Sequence, residues 1–159
     1  MVIIDPVLPD HPYIGPELDR LPADGFVHTG EKLERVVGLE DAAAVVESGA
    51  AAIAVSNHGG RVLDHTPGVA EVLPSIAKEV GNSTMIIADG GIRSGYDVLK
   101  MLALGADAVL IGRDIVRAAV GDGIDGVHTH MSYIGEDLAK AMKMTGCKSL
   151  KDISQEILY

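Results

Sequence analysis

Cysteine is almost missing from this chain. Among 159 residues there is one, Cys147, so no internal disulfide can form, and that usage fits a reducing compartment. Basic residues are sparse as well: 13 Lys and Arg stand against 23 Asp and Glu, a formal net charge of −10. Such a charge repels nucleic acid and anionic membranes unless the few basic groups are gathered in one place. No apolar run approaches the ~20 residues that a membrane-spanning helix needs. The opening MVIIDPVLPDHP has neither the basic segment nor the long apolar segment of a secretion signal. Together these absences describe a cytoplasmic protein with no nucleic-acid or membrane partner. Proline is scarce after the start. Five of the seven, Pro6, Pro9, Pro12, Pro16 and Pro22, precede residue 23, so after the short apolar Val2-Ile3-Ile4 this stretch is a strand end and an irregular connection.

What is present is the material of a folded domain, 47% hydrophobic and 23% charged, in a chain long enough for one sizeable core. From residue 39 onward, short runs of Val, Ile and Ala alternate with segments of helical period. Strands are expected at Ala51 to Ser56, Met85 to Ala88 and Ala108 to Gly112. Helices are expected at Leu39 to Ser48, Val69 to Val80 and Gly95 to Leu104. A closing helix from Gly126 to Thr145 carries Val127, Met131, Ile134, Leu138, Ala141 and Met142 on one side. Strands apolar throughout must be covered on both faces, which points to parallel strands in a barrel or a doubly wound sheet. The joints SGAAAIAV and LGADAVLI share a plan in which Gly49 or Gly105 ends a helix and alanines lead into a strand, and this weak repeat favours the barrel. The expected fold is α/β: a partial (β/α)8 barrel, its C-terminal half, with four to five parallel strands, residues 38–159 forming that half behind an irregular, proline-rich start at 1–37 that holds one or two strands.

In such a fold, reactive groups stand at the C-terminal ends of strands. Three ends here are polar and rich in glycine: Asn57-His58-Gly59-Gly60-Arg61 after AIAVS, Asp89-Gly90-Gly91-Ile92-Arg93 after MIIA, and Gly112-Arg113 after AVLI. The second and third have the makings of a phosphate site. Glycines let the backbone approach an anion, amides at the following helix start point toward it, and arginine supplies a forked donor. Either motif alone is as often a turn with a solvated arginine; two consecutive strand ends of this kind favour the phosphate. The first end pairs a histidine, able to take a proton near neutral pH, with an arginine able to hold a carboxylate. That is a minimal kit for acting on a small hydroxy acid.

The strings SNHGGRVLDHTPGVAEVLP, IIADGGIRSGYDVLKMLALGADAVLIGR and MTGCKSLKDI resemble, nearly continuously from Gly38 to Tyr159, the C-terminal half of the FMN-dependent 2-hydroxy-acid dehydrogenases and oxidases. That family includes glycolate oxidase, lactate oxidase and flavocytochrome b2. The resemblance implies FMN as cofactor, a small 2-hydroxy acid as substrate, and no metal. It makes His58 the active-site base and Arg61 the carboxylate ligand. Ser56 touches the flavin, and Asp89, Gly90, Gly91, Ile92, Arg93, Gly112 and Arg113 hold its ribityl chain and phosphate. Asp5, in a stretch faintly similar to the family's T-V-D-T-P, is the candidate for orienting the histidine.

Two departures accompany the match. The family lysine shortly before Glu40-Asp41-Ala42 is replaced by Glu34 in an ungapped count; with an insertion, Phe26 to Gly30 becomes the strand and Thr29 takes the place. Lys32 or Arg35 could substitute from a loop. The full barrel has eight strands over roughly 250 residues, so this chain has room for only the last four or five. A non-catalytic FMN- or phosphate-binding half-barrel, a fragment of a longer flavoenzyme, and a phosphate-binding barrel enzyme such as type 2 isopentenyl diphosphate isomerase are the alternatives. The pairing of His58 with Arg61 favours hydroxy acids over the last of these. A half-barrel is also expected to associate, with a second copy or with the missing N-terminal half.

Overall fold

Runs of Val, Ile and Ala too short for helices become the strands of one five-stranded sheet, and the amphipathic segments between them become its helices. The computed structural model describes residues 2–3, 33–36, 38–61 and 64–158. In chain order the elements are β1 (Val2–Ile3), β2 (Leu33–Val36), α1 (Leu39–Glu47), β3 (Ala52–Ser56), α2 (Val69–Val80), β4 (Met85–Asp89), α3 (Gly95–Ala103), β5 (Ala108–Ile111) and α4 (Arg113–Thr145). The sheet order is β1-β5-β4-β3-β2. Strands β2 to β5 are mutually parallel, each joined to the next by a helix, which is the βα repetition of a barrel segment.

The fifth strand departs from expectation. β1 pairs with β5 antiparallel, Val2 opposite Ile111 and Ile3 opposite Leu110, so four strands are parallel and the fifth is a short cap on the free edge of β5. Pairing there satisfies backbone groups that a closed barrel would have given to a following strand. Asp5, the candidate for orienting the histidine, lies outside the described residues. Glu34, the residue that the ungapped count sets in the lysine's place, lies in β2 in register with Ile53. The alternative strand from Phe26 to Gly30 lies outside the described residues.

Period-two alternation splits each buried strand between two apolar faces. Ile53, Val55, Ile86, Ala88, Val109 and Ile111 face the helices, where they meet Leu73, Ile76, Val98 and Ile134 in the main core. Ala52, Ile87, Ala108 and Leu110 form a second cluster on the barrel side, together with Met85. The four core members of that face are only 2–8% exposed. Burial on both faces is why these strands read as unbroken apolar runs.

The closing helix also differs from its expected form. It begins at Arg113, directly after β5, and breaks at Asp122 and Gly123, where φ is −153° and then 54°. A Cβ on Gly126 would stand 2.2 Å from the Ala118 carbonyl oxygen, so the second segment packs directly on the first. Beyond the break the expected face holds: Met131, Ile134, Leu138 and Ala141 are buried, and Val127 and Met142 pack beside them. Among the described residues no helix is long and apolar enough to cross a membrane.

Candidate active site

Parallel register brings the polar strand ends level. Ser56 at the end of β3 pairs with Asp89 at the end of β4, and Asp89 pairs with Leu110 of β5. Ser56 is 1% exposed, and its hydroxyl donates to Asp89 Oδ2 at 2.5 Å while accepting from the His58 backbone N–H at 3.1 Å. One buried hydroxyl thus ties the β4 end to the loop that carries His58.

That loop is a tight 3-10 turn, His58–Gly60. His58 adopts φ 56°, followed by Gly59 at 63° and Gly60 at 70°. A left-handed backbone costs a residue with a Cβ about 1–2 kcal/mol, so the histidine is held against a local preference. The holding bonds are the one from its N–H to Ser56 and the Asn57 side chain, which accepts from Gly59 N–H at 3.0 Å and donates to the Pro67 carbonyl at 3.2 Å. The outcome is an exposed imidazole at the strand end.

At the end of β4, Gly90 and Gly91 take φ 137° and 75°. A Cβ on Gly91 would meet nothing within 4 Å, which leaves open space over the backbone where a ligand could approach. Asp97 then organises the turn: its Oδ2 accepts from the N–H groups of Arg93 and Ser94, both at 3.1 Å, and Ser94 caps α3. At the end of β5, Gly112 is the N-cap of α4, so the N-terminal end of that helix faces the same region. Arg113 reaches across to the first loop, its Nη2 lying 3.2 Å from where a Gly59 Cβ would be.

The three ends enclose one cleft of about 210 Å³. His58, Arg61, Asp89, Gly90, Gly91, Ile92, Arg93, Gly112 and Arg113 all line it. Ser56 lies beneath it, bonded to Asp89. Gly59, one of the glycines of the first strand end, lines it too, and two further lining residues escaped sequence reasoning: Leu110 and Asp114. Leu110 was legible in principle, since it stands two residues before Gly112 on the same strand face. Asp114 follows Arg113 but reads, as sequence, as an ordinary acid in a first helical turn.

A model of the FMN-dependent dehydrogenases matches residues 35–159. The chain belongs to that family. Among relatives of the chain, the L-lactate dehydrogenase of Bartonella tribocorum is 45% identical over 126 residues, 79% of this chain and 33% of that protein. The L-lactate dehydrogenase of Xanthomonas oryzae pv. oryzae is 47% identical over 126 residues, 79% of this chain and 32% of that protein. Among solved structures, mandelate oxidase with benzoyl-formic acid is similar at a TM-score of 0.74 and 42% identity, covering 78% of this chain and 38% of that one. A mandelate oxidase variant with a monooxide FMN adduct is similar at a TM-score of 0.72 and 44% identity, covering 75% of this chain and 38% of that one. The chain spans about a third of the length of the curated relatives it matches.

The cleft can be tested against the family's cofactor. The cleft, about 210 Å³ and open to solvent, is smaller than the roughly 300–1,000 Å³ of pockets that enclose a whole small molecule. Forked arginine donors, a helix start and an open glycine backbone nevertheless suit its phosphate and the adjoining polyol. The residues present fit the phosphate end of FMN.

Proposed function

We propose that this chain supplies the phosphate clamp and the acid–base centre for FMN-dependent oxidation of a small 2-hydroxy acid, of the lactate or glycolate kind, to its 2-oxo acid. The observation that carries the proposal is the convergence of His58, Arg61 and the Gly-Arg clamp on one cleft at the C-terminal edge of parallel strands. His58 takes a proton from the substrate, and Arg61 holds the substrate carboxylate with its fork. Arg93, Arg113 and the start of α4 hold the cofactor phosphate, with Asp89, Gly90, Gly91, Ile92 and Gly112 shaping its approach. Ser56 holds the His58 loop against β4. When bound, FMN accepts the hydrogen equivalent from the substrate α-carbon. A single buried cysteine, Cys147, suits the reducing cytoplasm in which we place the protein.

The test is to load the purified chain with FMN and add lactate or glycolate without oxygen. Loss of the yellow colour supports turnover. Uptake of FMN with no bleaching favours a second reading, a flavin-binding half-barrel without chemistry. Glu34 favours that reading, because the ungapped count sets an acid on β2 where the family has the lysine that would stabilise reduced flavin. Both readings share the clamp, so Arg113→Ala should weaken FMN binding by about 1.5–3 kcal/mol, the range for a hydrogen bond to a charged group. An unchanged affinity in a fluorescence titration would count against the clamp.

The sheet also bears on assembly. A closed barrel has no edges, but among the described residues β2 is paired on one side only, by β3. We infer that this edge is covered in solution, by a second copy or by an N-terminal half-barrel on another chain. Sedimentation at micromolar concentration should therefore show a species larger than the monomer when the chain is studied alone. A cooperative, well-folded monomer would refute self-association.

A further inference from the structure

The cleft holds an acid that a phosphate clamp does not require. Asp114 lines it beside Arg113, two residues past the N-cap of α4, and keeps only 15% of its side chain exposed. A carboxylate there suits the helix, since it faces the positive end of the macrodipole. The same carboxylate opposes any anion that seeks those N–H groups. Arg117, one turn on, lies 71% exposed and places Nη1 2.6 Å from Asp114 Oδ1. As a stabilising element a pair whose arginine is this exposed is minor, because solvent screens it. Its position gives it another consequence. The lining carries Arg61, Arg93 and Arg113 against Asp89 and Asp114. Asp89 is engaged by the Ser56 hydroxyl within the sheet, whereas the charge of Asp114 is offset by a guanidinium that does not line the cleft.

We propose that Asp114 limits the affinity of the cleft for phosphate monoesters, and that Arg117 is a positioning residue that restores part of that affinity solely by neutralising Asp114. The inference rests on the phosphate reading of the cleft and adds to it a determinant of how tightly the phosphate is held. The pair acts on the charge of the ligand and not on its ring, so FMN and riboflavin separate the two contributions: riboflavin has the same ring and ribityl chain without the phosphate.

The experiment is a low-salt fluorescence titration of FMN and riboflavin against the wild-type chain, Asp114→Asn, Arg117→Ala and the double variant. Asp114→Asn should tighten FMN about threefold to tenfold, the scale of removing one like charge a few ångströms away when solvent screens the pair as strongly as bulk water does. Arg117→Ala should weaken FMN by a similar factor in the wild-type background and leave it unchanged in the Asp114→Asn background. Riboflavin affinity, where measurable, should stay constant across the set, and thermal unfolding midpoints should confirm that each variant folds. FMN binding that ignores Asp114→Asn would overturn the inference alone. Equal weakening by Arg117→Ala in both backgrounds would overturn it too, since Arg117 would then touch the phosphate itself. No FMN binding by any of the four proteins would overturn the phosphate reading and this inference with it.

Discussion

His58→Asn is expected to lower 2-hydroxy-acid oxidation at least about 10²-fold, the low end for loss of a general base, while FMN affinity stays near the wild-type value. Asparagine is the informative replacement because it tolerates the left-handed backbone at this position, φ 56°, better than alanine does. The turn from Asn57 to Gly60 should then persist, with its bonds to Ser56 and Pro67, and only the proton acceptor is removed. His58→Ala should show at least the same loss, with an added risk of disturbing the loop. The two measurements are turnover with lactate or glycolate and a flavin titration of the same preparation. Retained turnover in the asparagine variant would remove His58 from the chemistry. Lost FMN binding would show instead that the loop had moved the neighbouring Arg113.

A second large effect concerns stability. Gly95→Ala should destabilise the chain by about 3 kcal/mol, the upper end for forcing extra volume into a packed interior. In an ordinary helix the same change gains about 0.5–1 kcal/mol, so even the sign is diagnostic. Gly95 opens α3 against α4, and a Cβ there would lie 1.9 Å from the Leu138 nitrogen, 2.5 Å from the Asp137 carbonyl carbon and 2.6 Å from the Ile134 carbonyl oxygen. All three are backbone atoms, so no side chain can swing aside. The contact is close because the buried Asp137 carboxylate accepts the Gly95 N–H at 3.0 Å, which fastens α4 to the start of α3. Urea unfolding measures the change. A stabilised alanine variant would mean that the two helices do not meet as described.

Much of the site was legible in the residues themselves. The helix expected from Val69 to Val80 has those bounds in the structure, because its apolar positions recur at helical spacing and the flanking Gly68 and Gly81 end the pattern. The three strand ends were marked by abrupt changes from apolar runs to glycine, arginine and histidine, and those three ends form the cleft. The closing helix was legible only beyond its break. Its first turns, Arg113 to Gly121, expose Val116 and Val120 and carry no clean apolar stripe, so periodicity had little to detect.

The sequence by itself marked most of the segments: the apolar strand runs, the helices of regular period, the glycines that accept a left-handed backbone, and the groups that could hold an anion or move a proton. Those are local properties, written in side-chain period and in the freedom of glycine. Tertiary structure alone decided what meets what. Ser56 finds Asp89 across 33 residues, Arg113 reaches Gly59, β1 pairs antiparallel on the far edge, and Asp114 lines the cleft while paired with Arg117. Each of these depends on strand register and helix packing, which balance contacts from the whole sheet against the entropy of closing long loops, and no single segment carries that sum.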